Sequence, residues 1–85
     1  MNCFQIMAVK VSERESTSLK VQEVLTKYGC YVRTRLGLHA PESDGACSPH
    51  GILILQLCSE EKISRELKDR LCSIEGVRAE LINLA

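Results

Sequence analysis

Tryptophan is absent from this sequence, and the only rings are Phe4, Tyr28 and Tyr31. Leucine, isoleucine and valine must therefore supply most of any buried core. No uninterrupted apolar run exceeds that of Ile52–Leu55, far short of the roughly 20 residues that a membrane helix needs. The first residues, Met1 to Val11, carry neither a basic segment nor the long apolar stretch of a secretion signal. Excess charge of either sign is also missing: lysine and arginine total eleven, as do aspartate and glutamate. Nucleic-acid binding rests on phosphate neutralisation, so a balanced chain argues against direct DNA or RNA contact. No CxxC pair occurs among Cys3, Cys30, Cys47, Cys58 and Cys72, which removes zinc-ribbon and thioredoxin-type readings. The count is odd and the spacing wide. With no secretion signal, reduced thiols and a cytoplasmic location are expected, and free thiols at Cys30, Cys58 and Cys72 are expected to be buried.

The 85 residues suffice for one domain, residues 1–85. A chain of this size buries only about 60–65% of its unfolded surface, so association is a natural source of added stability.

The hydrophobic pattern resolves into six elements. Phe4–Val11 reads as a strand, followed by the polar connection Ser12–Ser18. There Ser12 and Glu15 have capping-box spacing, with Ser16, Thr17 and Ser18 as rival caps. Val21, Val24, Leu25 and Tyr28 lie on one helical face, which Gly29 closes as a left-handed cap. Cys30–Leu38 alternates, with Val32, Thr34, Leu36 and Leu38 on one side and Tyr31, Arg33 and Arg35 on the other. The turn-rich segment His39–His50 separates it from the strand Gly51–Cys58, which is apolar on both faces. Ser59 is placed to cap a second helix whose buried stripe is Ile63, Leu67, Leu71 and Ile74. Gly76 ends that helix, and Val77–Leu84 is the last strand.

The order βαββαβ predicts an α+β, ferredoxin-like sandwich: a four-stranded antiparallel sheet with two helices on one face. The other face is then left bare, and a homodimer or higher homo-oligomer is the economical way to cover it.

Three stretches carry a resemblance: Lys20–Cys30, Thr34-Arg-Leu-Gly-Leu-His39 and Cys47-Ser-Pro-His-Gly51. They resemble the family of iron-only hydrogenase system regulators, whose fold is ACT-like and similar to the C-terminal domain of the nickel-responsive repressor. The resemblance implies a regulatory or accessory role near [FeFe]-hydrogenases. The chain has no helix-turn-helix, so any regulation of transcription is expected to run through a protein partner.

Three groups of residues could carry chemistry. His39, Cys47 and His50 flank the hairpin loop and offer imidazole and thiolate to nickel, zinc or copper. The similar repressor domain binds nickel through His and Cys. The plainer reading is a strand-end histidine, a small buried thiol and a solvated histidine. Arg33 and Arg35 could hold a carboxylate or phosphate, or simply form a solvated strand face. Ser12 and Ser16 lie where ACT domains often bind amino acids at a subunit interface, or serve only as helix caps. No nucleophile, base and oxyanion site come together, so catalysis is not expected. The reading is a ligand-responsive oligomerisation module. A metal-binding accessory protein and a purely structural interaction domain are the alternatives.

Overall fold

The computed structural model describes residues 2–12, 15–39 and 50–85, without the side chains of Glu15, Leu38, His39 and His50. The elements are β1 (Asn2–Ser12), α1 (Glu15–Lys27), a 3-10 turn (Gly29–Tyr31), β2 (Val32–His39), β3 (His50–Ser59), α2 (Glu61–Cys72) and β4 (Val77–Asn83). The strands form one antiparallel sheet in the order β2-β3-β1-β4. This is the ferredoxin-like arrangement expected from the element order. Among the described residues no helix is long and apolar enough to cross a membrane.

Alternation sorts the side chains of the two central strands. Met7, Val9 and Val11 of β1 pair with Leu55, Leu53 and Gly51 of β3, and with Leu81, Ala79 and Val77 of β4. These odd-numbered positions face the helices. There they meet Val21, Leu25 and Tyr28 of α1 and Leu67 and Leu71 of α2 in one core. Met7, Leu55, Leu57 and Leu71 are fully buried, and each such side chain contributes about 1.5–3 kcal/mol by leaving water. Tyr28 sits at the edge of this core with Arg70 6.0 Å above its ring. Its hydroxyl is pushed above the ordinary tyrosine pKa, first by burial and then by the neighbouring Glu66.

Even-numbered positions of the same strands face away from the helices. Across the sheet, Leu36, Ile54, Ala8 and Glu80 form one row, and Thr34, Gln56, Ile6 and Ile82 the next. Leu36, Ile52 and Ile82 are exposed there.

Four expectations need correction. The helix α1 ends at Lys27 without a left-handed glycine; Gly29 instead opens the 3-10 turn, and among the described residues only Gly76 has positive φ, at 88°. Ser59 does not cap α2. Glu60 occupies that position without a side-chain cap bond, while Ser59 turns inward, 2.7 Å from Ser64 Oγ. The start of α2 is tied down differently: Glu61 takes Arg65 Nε at 2.9 Å and Asn83 Nδ2 at 3.1 Å. Arg65, then Asn83, hold its carboxyl below the usual glutamate range.

The third correction concerns β2. Its register shifts between Val32 and Thr34, so Val32 pairs with Leu57 and packs against the core while Thr34 pairs with Gln56 on the open face. A bulge of this kind places one extra residue on one strand and resets the alternation after it. Val32 and Thr34 therefore do not share a face.

The fourth is covalent. Cys3 and Cys58 are joined across β1 and β3. Antiparallel pairing brings these two side chains together although 55 residues separate them, which counting cysteines could not show. Cys30 and Cys72, expected to be buried, are exposed and free.

Two outcomes follow. Leu55→Ala should cost about 2–5 kcal/mol in urea unfolding, as a buried leucine truncation does, while Ile52→Ala on the open face should cost well under half as much. Thiol titration of denatured, unreduced protein should leave Cys3 and Cys58 silent until a reductant is added. Closing a loop of that length should stabilise the fold by about 4 kcal/mol in the chain-entropy account.

Candidate functional site

The chain turns from β1 into α1 at Ser12, and small residues gather around this corner. On the β2–β3 side lies a groove of about 310 Å³. Its floor is apolar, from Val11, Val21 and Leu53. Its polar wall comes from Ser12, Ser18, Gln22 and Arg35. Gly37 and Gly51 also line it, and side chains there would intrude on this space. A Cβ at Gly37 would meet only Leu53 Cδ2 at 3.6 Å, an ordinary contact, so no close packing demands glycine at that position.

Arg35 reaches the groove because of the β2 bulge. It pairs with Leu55, a core-facing residue, and so points to the helix side of the sheet. Its Nη1 donates to Gln22 Oε1 on α1 at 3.1 Å. Among the described residues no carboxylate lies within ion-pair distance of its guanidinium. The N-terminal turn of α1 adds backbone N–H groups and a positive dipole end at the same corner. The set has the composition of a site for a small anion with an apolar body: a guanidinium fork, an amide, two hydroxyls and an aliphatic floor.

The residues singled out from the sequence separate as follows. Ser12 and Arg35 line this groove together. Ser16 lies on the other side of α1's first turn, in a second groove toward β4. Arg33 is exposed at the β2 register shift and lines neither groove. His39 stands opposite Gly51, and His50 opposite Ser12, at the same end of the sheet. Cys47 lies outside the described residues. Among the described residues no group of three or more His, Cys, Asp or Glu is placed to hold a metal. Gln22, Gly37 and Gly51 were not singled out. The available signal was glycine inside a strand, which often marks a place left open for another group.

No protein-family model and no curated protein matches the chain. Solved structures do. An uncharacterized protein from Thermotoga maritima has a TM-score of 0.83 at 25% identity, with 95% of each chain covered. The ACT domain of the GTP pyrophosphokinase of Chlorobium tepidum has a TM-score of 0.69 at 15% identity, covering 92% of this chain and 95% of that one. An unknown protein from Galdieria sulphuraria has a TM-score of 0.68 at 17% identity, covering 95% of this chain and 48% of that one. The fold is thus ACT-like.

Gly37→Val should leave the fold intact while filling the groove. Its stability should stay within about 1 kcal/mol of the parent, the span of strand propensities; a larger loss in thermal unfolding would show that the glycine is needed for packing.

Proposed function

We propose that this chain is a non-catalytic, ligand-responsive regulatory module that acts as a homo-oligomer in an iron-only hydrogenase system. The observation that carries the ligand reading is the groove at the Ser12 corner, where Arg35 and Gln22 converge over an aliphatic floor beside two strand glycines. A small carboxylic acid such as an amino acid fits that chemistry: carboxylate to Arg35, body over Val11, Val21 and Leu53. The ACT-like fold supports a regulatory rather than a catalytic role. The run Arg35-Leu-Gly-Leu-His39 and the segment Cys47-Ser-Pro support the hydrogenase link.

Association is supported by the open sheet face. Leu36, Ile52 and Ile82 are exposed on it, with Ile6, Ala8 and Ile54 half-buried between them. A second copy laid on this face would remove a contiguous apolar surface from water at roughly 25 cal/mol per Å².

A second reading is a metal-binding accessory protein using His39, Cys47 and His50. The register that sets both histidines at one end of the sheet favours it. Calorimetry with nickel and zinc on His39→Ala, Cys47→Ala and His50→Ala tests it: metal affinity lost in each would place the function there.

Sedimentation at micromolar concentration should show a dimer, and Ile54→Asp should dissociate it, because a carboxylate buried without a partner is costly. A thermal-shift screen of amino acids and small carboxylates should find a stabilising ligand whose effect vanishes in both Arg35→Ala and Gly37→Val. A monomeric parent protein would sink the association reading. A ligand indifferent to both substitutions would sink the site. Deletion of the gene in its host should change hydrogenase output; unchanged output would remove that link.

A further inference from the structure

The bond between Cys3 and Cys58 is at odds with the register of the strands that carry it. From Gln5 opposite Leu57 to Ser12 opposite His50, β1 and β3 keep one pairing. Continued to the first residues of β1, that pairing would set Phe4 opposite Cys58 and Cys3 opposite Ser59. Odd positions face the helices and even positions the open face. Cys3 and Cys58 would then lie on opposite sides of the sheet, where no disulfide can join them. They meet because the pairing shifts between Asn2 and Gln5, so that Asn2 takes the place opposite Ser59. Bond and bulge require each other.

The bulge belongs to the β3 side alone, and it carries a cost. On the β4 side the pairing runs unbroken to Gln5 opposite Asn83, and beyond it the Leu84 N–H donates to Phe4 O at 2.7 Å. Nothing there draws Phe4 out of the common register. The cost falls on Gln5. Its Nε2 donates to Asn2 O at 3.1 Å and to Ser59 O at 2.7 Å, the carbonyls of the shifted pair. Its Oε1 is buried and has no hydrogen-bond partner among the described residues. A buried acceptor without a donor disfavours the arrangement that leaves it so.

We propose that Cys3 and Cys58 form a thiol–disulfide switch that sets the register of the first residues of β1. A dithiol supplies the electrons. Its thiolate attacks Cys3 Sγ, because Cys3 is half-buried whereas Cys58 is buried. The S–S bond breaks, and Cys58 leaves as a thiolate that takes up a proton. The second thiolate of the reductant then closes on the mixed disulfide and frees Cys3, which is protonated in turn. Two electrons and two protons pass to the cysteine pair, and the dithiol becomes a cyclic disulfide. Once untethered, the start of β1 adopts the register of the rest of the strand. Phe4 replaces Cys3 opposite Cys58, in line with Leu84. The Cys3 thiol, a weak donor, moves to the side of the sheet where Gln5 Oε1 has none. Phe4, the sole phenylalanine and 66% exposed, then extends the apolar rows of the open face. The register change stands on its own; its effect on a dimer rests on the association reading given above.

The test uses the full chain, isotopically labelled and equilibrated without air against reduced and oxidised dithiothreitol in varying ratio. Differential alkylation with peptide mapping reports the state of Cys3 and Cys58, and backbone nuclear Overhauser contacts report which residues face each other. Oxidised protein should pair Asn2 with Ser59. Reduced protein should pair Phe4 with Cys58 and Cys3 with Ser59. Cys3→Ser, at the half-buried position, should hold the reduced pairing at every ratio, and Cys58→Ala should do the same. Sedimentation should show the dimer tightening on reduction by about tenfold, the equivalent of roughly two further methylene groups leaving water. Phe4→Ala should abolish that gain. The switch is overturned if the pairing is the same in both states or if Cys3→Ser keeps the shift between Asn2 and Gln5. It is also overturned if the native pair neither opens under excess dithiothreitol nor closes under its oxidised form. A chain that changes register but stays monomeric in both states upholds the switch and sinks the association reading. Tightening that survives Phe4→Ala overturns the part given to Phe4.

Discussion

The antiparallel register between β1 and β3 is the constraint on which the remainder depends. It runs from Gln5 opposite Leu57 to Ser12 opposite His50, at the centre of the sheet. Once it is set, every side chain on both strands is assigned to the helices or to the open face. A slip of one residue would move Met7, Val9, Leu55 and Leu57 out of the core together. The pairing also brings Cys3 to Cys58, so the bond between them locks the register it depends on.

That register determines where a ligand could enter. The central strands reach their common end at Ser12 and His50, where the chain must leave β1 and start α1. Large side chains at this end would seal the gap between sheet and helix. Instead Gly37, Gly51 and Gly76 stand around Ser12, and the N-terminal turn of α1 overlooks open space on both sides. The two grooves differ in chemistry because of what the flanking edge strands provide. β2 contributes one guanidinium over an aliphatic floor, whereas the β4-side groove is lined by the turn Ile74–Val77 and the hydroxyls of Ser16 and Thr17.

The element order, the sheet with both helices on one side and the apolar character of the opposite face were legible in the sequence. Periodicity reports burial, and burial decides those features. What periodicity cannot report is a change of phase. The register shift after Val32 sends Arg35 to the helix side, so a strict alternation wrongly groups Val32 with Thr34 and Leu36. Cap assignments failed for a related reason. Ser59 has the right residue type and spacing, but the buried hydroxyl of Ser64 offers it a partner inside the core. Of the residues proposed to bind a ligand, Ser12 and Arg35 were findable by their chemistry, whereas the glycines that make room for one were not. Contacts between distant segments, above all Cys3 with Cys58, follow only from the fold.

That covalent link gives the molecule an asymmetric response to force. Tension applied at the two ends would pass from Cys3 directly to Cys58 and bypass β1, α1, β2 and most of β3. Only residues 59–85, which hold α2 and β4, could be drawn out, a length of roughly 90 Å when fully extended. Both grooves have walls within the shielded loop, but only the β4-side groove also uses residues from the extensible part. Pulling would therefore open the β4-side groove while leaving the Arg35 groove closed behind the disulfide.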